Sequence, residues 1–236
     1  MNNTIRTALF DFDGTLVFHE PDSFGVVRAY CTEIGQPLTP EAEHQGRRMR
    51  HQYFVDPEIA VRLKTFSPEQ FWSNYYRHLL AAVGVNGDLD GHAAAMMDRA
   101  ANLSFTYYCP EAGCRTLTEL RNRGYQLGLI TNRDSVEGFH KVLDKVDLWP
   151  YFDLILASGE VGIRKPEPGI FDVALERLGS RPEEAFYVGD NYWADVVGAE
   201  RAGLTPVLLD PDRLFPEAAC LVLKQIDELL EWLPNG

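Results

Sequence analysis

Cysteine is scarce in this 236-residue chain: Cys31, Cys109, Cys114 and Cys220 are the whole set. No two form a C-x2-C pair and their spacing fits no zinc template, so they read as free thiols of a reducing compartment. The six histidines include no H-E-x-x-H or H-x-E pattern, which removes the common zinc-hydrolase readings. No window approaches eighteen uninterrupted apolar residues, so no membrane span is expected. The opening residues, MNNTIRTALF, lack the basic start and long apolar stretch of a secretion signal, and a cytoplasmic protein is expected. Positive charge is short as well, with 22 Lys and Arg against 35 Asp and Glu and a net charge of -13. An acidic surface repels phosphate backbones and argues against a nucleic-acid partner. The densest basic run, GRRMRH at 46–51, reads as a solvated helix face.

What is present can build a core: 45% of residues are hydrophobic and 24% charged, the balance of a globular chain. Five short apolar runs stand out, TALFDF (7–12), YQLGLIT (125–131), DLILAS (153–158), AFYVGD (185–190) and TPVLLD (205–210). They are continuous rather than alternating, as strands buried on both faces of a parallel sheet should be. Helical patterns separate the later ones, at 113–124, 135–146, 168–179 and 194–203, with a last helix expected at about 217–233. Strand and helix alternating in this way predict an α/β fold with a doubly wound parallel sheet. From Leu16 to about Tyr107 no strand is expected; helices are read at 41–57, 68–84 and 91–103. In the middle one Phe71, Tyr75, Leu79 and Val83 recur every four residues and make one apolar face. A helical insertion of roughly ninety residues thus interrupts the sheet after its first strand, within the range of a small domain.

Ligands of an open parallel sheet bind beyond the carboxyl ends of its strands. The first run ends in Asp11-Phe12-Asp13, the second in Thr131-Asn132 and the fourth in Gly189-Asp190, with Asp195 five residues on. The stretch GIRKPEPGIF (162–171) adds Lys165. Acids gathered at one edge need a cation, and all-oxygen ligands favour magnesium over zinc. The spacing of Asp11 and Asp13 predicts two carboxylates on one strand face. Other readings stay open at single positions. Lys165 alone would be a surface lysine, Thr131 suits a helix cap, and Asp195 opens a helix, so capping stands beside metal binding.

DFDGTLV, LGLITN, GIRKPEPGIF and YVGDNYWADVVGAERAG resemble, in order, the four motifs of the haloacid dehalogenase-like (HAD) superfamily. The resemblance implies a Rossmann-like catalytic core, residues 1–16 and 111–236, with a helical cap at 17–110. It implies that Asp11 is a nucleophile forming an aspartyl-phosphate, and that Asp13 is the general acid and then the base. A magnesium ion would be held by the Asp11 side chain, the Asp13 carbonyl and Asp190, with Asp195 as a further ligand or partner. Thr131, Asn132 and Lys165 would hold the phosphoryl group through the hydroxyl, backbone amides and the lysine charge; Gly14, which would turn the chain off the strand, and Thr15, near the nucleophile, would also bind substrate. The expected activity is a magnesium-dependent phosphatase acting on a small phosphorylated metabolite.

Rivals within the superfamily are a sugar phosphomutase, which shares the paired acids, a haloacid dehalogenase, and a binding protein without catalysis. A halide leaves without a proton, so Asp13 argues against the dehalogenase. Phosphonatases use a cap lysine, and Lys64 is the only lysine of the insertion, in a context that suggests no such role. Arg47, Arg48, Arg50, His51, Arg62, Trp72 and Tyr76 are candidates for contacting the leaving group. Pro21 and CPEAG (109–113) break regular structure at the crossings into and out of the insertion, where cap opening is expected.

Overall fold

The computed structural model describes residues 5–63 and 65–233; Lys64 and the side chains of Ala60, Arg62 and Leu63 lie outside the described residues. The chain divides into two compact units, Met1–Phe18 with Tyr107–Gly236, and His19–Thr106. Among the described residues the strands are β1 (Thr7–Phe10), β2 (Phe18–Glu20), β3 (Thr106–Tyr108), β4 (Gln126–Thr131), β5 (Leu154–Ala157), β6 (Ala185–Gly189), β7 (Thr205–Leu209) and β8 (Leu221–Leu223). Helices α1 (Ser23–Glu33), α2 (Pro40–Tyr53), α3 (Pro57–Leu63), α4 (Pro68–Ala82) and α5 (Leu89–Ala101) build the second unit. The first carries α6 (Glu111–Asn122), α7 (Val136–Val146), α8 (Ser158–Val161), α9 (Pro168–Leu178), α10 (Val197–Arg201) and α11 (Leu229–Trp232).

Six strands of the first unit form one sheet in the order β5-β4-β1-β6-β7-β8, and every neighbouring pair is parallel. Successive strand residues face opposite sides. Phe10, Leu129 and Val188 pack with Leu117 and Leu120 of α6 and Phe139 of α7. Leu9, Ile130 and Tyr187 pack with Phe171 and Leu175 of α9 and Ala199 of α10. Both faces are covered, so β1 and β6 are buried at every position, as their unbroken apolar runs predict. The strand order switches at β1, with β4 and β5 on one side and β6, β7 and β8 on the other. Such a switch opens a crevice beyond the carboxyl ends of the strands.

The elements depart from expectation at three places. The last helix is not continuous over 217–233: β8 joins the sheet edge beside β7, with Val207 level with Leu221, and a 3-10 turn, Ile226–Glu228, and the single turn α11 follow. Three apolar residues in a row suit either period, and pairing with the open edge of β7 decides for the strand. The segment between Leu16 and Tyr107 does hold strand, since β2 and β3 pair in a two-stranded sheet. It also begins with α1, absent from the sequence reading. Asp22 starts that helix by accepting from the Phe24 and Gly25 amides at 3.1 and 2.7 Å.

Within the second unit, α4 opens on a reciprocal cap between Ser67 and Gln70, with Pro68 in the first turn, a strong start signal. Tyr75 and Leu79, two positions of its periodic face, pack with Phe24, Val27 and Tyr53. Tyr53 at the end of α2 meets the Tyr75 ring edge-on at 5.2 Å. The basic run 46–51 lies on α2 and is not a solvated face, because Arg47, Arg48, Arg50 and His51 are all half-buried. Arg47 pairs with Glu43 at 2.8 Å and lies over the Phe24 ring.

Burial, and then the charges of Arg50, Arg47 and Arg48, push the His51 ring down from 6.5 to about 3. Between those values the unfolded chain binds a proton that folded His51 does not, so stability falls as pH drops below 6.5. In urea titrations from pH 7 to pH 4, His51→Gln is expected to flatten this slope, and an unchanged slope would contradict the assignment.

Candidate active site

The register of the sheet gathers the reactive residues. Phe10, the last residue of β1, is level with Leu129 of β4 and Val188 of β6. Asp11 follows, its amide donating to the Val188 carbonyl at 2.8 Å, and Thr131 and Asp190 come one or two residues later on the flanking strands. The expectation that Asp11 and Asp13 share a strand face is corrected here. The strand ends at Phe10, and Asp13 belongs to a turn closed by a bridge to Val17. Gly14 has φ +83° within that turn, and a Cβ there would lie 2.6 Å from Asp190 Oδ2. Only glycine meets both conditions.

Lys165 is the hub. Its Nζ donates to Asp11 Oδ1 at 2.6 Å, Asp195 Oδ1 at 2.7 Å and Tyr187 Oη at 2.7 Å. An ammonium group has three hydrogens, so the set is complete, and none remains for a phosphoryl oxygen in this arrangement. The Tyr187 hydroxyl passes its own proton to the Ile130 carbonyl at 3.0 Å. Lys165, Asp11 and Asp195 are 3%, 7% and 1% exposed. Burial pushes the Asp11 carboxyl up to about 7 against the pull of Lys165, and Asp195 and Asp13 add to the rise. Asp195 is raised by burial and by Asp190, with Lys165 opposing. Burial alone would lower Lys165, but the charges of Asp11 and Asp195 hold it above its ordinary value.

The residues around this hub fix it from behind. The Asn132 side chain binds the Lys165 backbone from both sides, Oδ1 accepting from its amide at 2.8 Å and Nδ2 donating to its carbonyl at 2.9 Å. The Asn132 side chain thereby positions the lysine. Asp195 is no helix cap: Asn191 fills that place, accepting from the Trp193 and Ala194 amides. Residues 192–196 form one π-helical turn, a form common at functional sites. Asp195 Oδ2 accepts from the Asn191 amide at 2.9 Å. A Cβ on Gly189 would come within 2.3 Å of the Asp195 carboxylate, so the glycine before Asp190 makes room for Asp195. Ser135, not Thr131, caps the helix after β4, through the Gly138 amide.

Asp13 is held by Arg133 rather than by the hub lysine. Arg133 grips it with Nε on Oδ2 at 2.8 Å and Nη2 on Oδ1 at 2.6 Å. Thr131 and Thr15 are both buried, and Thr15 Oγ1 and Ser158 Oγ are buried hydroxyls without a hydrogen-bond partner among the described residues. Arg133, Tyr187 and Ser158 escape a reading from sequence. Only the place of Arg133 directly after Thr131-Asn132 could have pointed to it.

Asp11, Asp190 and Asp195 each bring a carboxylate oxygen to within 4.8 Å of the others. Three carboxylates against the single Lys165 ammonium leave two negative charges, which one divalent cation would balance. The donors are oxygen alone, the unpartnered Thr15 hydroxyl is adjacent in sequence to the glycine against Asp190, and the set suits a hard ion. The Asp13 carboxylate is not among the three.

The family model described as haloacid dehalogenase-like hydrolase matches residues 5–203. The chain is 34% identical to a glyceraldehyde 3-phosphate phosphatase of Pyrococcus furiosus, over 97% of this chain and 93% of that protein. It is 32% identical to a ribulose-1,5-bisphosphate 5-phosphatase of Halopiger xanaduensis, over 86% of this chain and 84% of that one. Among solved structures, a HAD-hydrolase from Bacillus subtilis bound to magnesium aligns with a TM-score of 0.63 at 21% identity, covering 98% of this chain and all of that chain.

Gly14→Ala is expected to displace Asp190 and weaken divalent-ion binding at least tenfold by calorimetry, with far-ultraviolet circular dichroism unchanged. Undiminished binding would remove Asp190 from the ion site.

Proposed function

The chain belongs to the haloacid dehalogenase-like hydrolases, and on that premise we propose that it is a magnesium-dependent phosphatase working through an aspartyl-phosphate on Asp11. The carrying observation is the buried Asp11–Lys165 pair, 2.6 Å long, at the carboxyl end of the central strand with Asp13 two residues away. Asp190, Asp195, the Asp11 side chain and the Asp13 carbonyl would hold the ion. Bound there, magnesium would offset the carboxylates, favour ionised Asp11 and draw charge from the phosphoryl oxygens.

In the first step an Asp11 oxygen attacks phosphorus and forms the new P–O bond. The bond to the ester oxygen breaks with its electron pair going to that oxygen, and Asp13 supplies the proton that makes it an alcohol. In the second step Asp13, now a carboxylate, takes a proton from water as its oxygen adds to phosphorus. The Asp11 carboxylate leaves and inorganic phosphate is released. Lys165 opposes the rise that burial imposes on Asp11 and keeps it aimed, its charge acting on the phosphoryl group through space rather than through a further hydrogen bond. The bond between phosphorus and Asp11 has to be made and broken at one fixed oxygen, and Tyr187 and Asn132 hold the lysine that fixes it.

A proton donor is needed for an alcohol and not for a halide, which favours the phosphatase reading over a dehalogenase. The named activities of the relatives support a sugar or triose phosphate as substrate class. The helical unit His19–Thr106 is proposed to serve as the cap.

Phosphate release from triose and sugar phosphates is expected to require magnesium. Asp11→Asn is expected to fall below about a thousandth of wild-type rate, and Asp13→Asn to slow by about 10²–10⁴. Acid-quenched wild-type enzyme should carry one hydroxylamine-labile phosphate on Asp11 by mass spectrometry. Turnover surviving in Asp11→Asn would sink the covalent route.

A further inference from the structure

Of the four aspartates of the site, Asp11, Asp13, Asp190 and Asp195, Asp13 is the most exposed. Its side chain is 47% exposed and stands on a turn, whereas those of Asp11 and Asp195 are 9% and 1% exposed. A half-exposed aspartate has several rotamers open to it. An acid–base group must nevertheless stand within about 2.6–3.2 Å of the oxygen it serves. Arg133 removes that freedom. Its two parallel hydrogen bonds, at 2.8 and 2.6 Å, set the plane of the Asp13 carboxylate as well as its place.

The guanidinium is itself braced. Its central carbon lies 5.3 Å from the centre of the Phe12 ring and 5.7 Å from that of Tyr107. Phe12 is fully buried and meets Phe139 edge-on at 5.0 Å, so the brace reaches the core. The Arg133 carbonyl accepts from the Gly159 amide at 3.1 Å, anchoring the backbone of the same residue. A carboxylate has about four acceptor sites. The grip takes one on each oxygen and leaves each another with which to hold or take a proton.

We propose that Arg133 is the positioning residue for Asp13, aiming its carboxylate at the ester oxygen of the substrate without itself contacting the phosphoryl group. This rests on the assignment of Asp13 as the acid–base group. If Arg133 instead bound the phosphoryl oxygens, its loss would weaken inorganic phosphate and affect every substrate alike. If it only stiffened the loop, its effect would not depend on the alcohol that leaves.

The test compares glycerol 3-phosphate with p-nitrophenyl phosphate, using the full chain with magnesium. An alkoxide needs the proton of Asp13 to depart; nitrophenolate leaves largely without it. The measure is kcat/KM, which reports on steps up to departure of the alcohol. Arg133→Ala is expected to lose about tenfold or more on glycerol 3-phosphate and less than about threefold on p-nitrophenyl phosphate. Inhibition by inorganic phosphate should stay within about twofold. Arg133→Lys should fall between, because a point charge cannot grip both oxygens. Asp13→Asn should show the same substrate split, and the double variant no further loss, since the arginine acts through the aspartate. Equal losses on both substrates, weakened phosphate inhibition or additive losses would overturn the role of Arg133. A split in Asp13→Asn with none in either Arg133 variant would overturn that role alone. No split in Asp13→Asn would overturn the acid–base assignment beneath it.

Discussion

One buried ammonium shared by two buried carboxylates is the constraint around which the first unit is arranged. Taking the Lys165, Asp11 and Asp195 charges out of water costs several kcal/mol for each ion. Their mutual attraction offsets that cost only if the geometry is tight and each remaining hydrogen has an acceptor. Tyr187 supplies the third acceptor and is itself satisfied by the Ile130 carbonyl. Asn132 fixes the backbone on which the lysine rides, and Gly189 clears the space that Asp195 fills.

The compensation is deliberately incomplete. A single lysine cannot neutralise Asp11, Asp190 and Asp195 together, and the Asp11 carboxyl remains raised to about 7. A carboxylate held near neutrality is a poor resident of a core, yet it gains most from a divalent cation beside it. Stability and chemistry therefore pull in opposite directions at the same atoms, as functional sites commonly require. Asp13, outside this knot and gripped by a surface-reaching arginine, is spared the conflict and keeps lone pairs for proton traffic.

The sheet was legible because parallel strands buried on both faces must be apolar throughout, and five of its six strands carry that signal. The reactive edge was legible because acids at the ends of such strands are costly without a purpose. Asp11, Thr131, Lys165, Asp190 and Asp195 all lie in the same unit for that reason. β8 was hidden because Leu221, Val222 and Leu223 are too few to declare a period, and local pattern does not show the open edge of β7 that receives them. The grip of Asn132 on Lys165 and of Arg133 on Asp13 spans 33 and 120 residues. Local pattern carries no trace of such pairings. The strand placement of Asp13 failed for a related reason: apolar Phe12 continues the run, and only the Gly14 turn shows that the strand has already ended.

The most direct test is urea unfolding of Lys165→Met in metal-free buffer, alone and combined with Asp195→Asn. Removing the ammonium strands two carboxylates, so the single variant should lose about 3–5 kcal/mol, and the second substitution should recover part of that loss. A Lys165→Met protein as stable as wild type would show that this charge does not hold the site together.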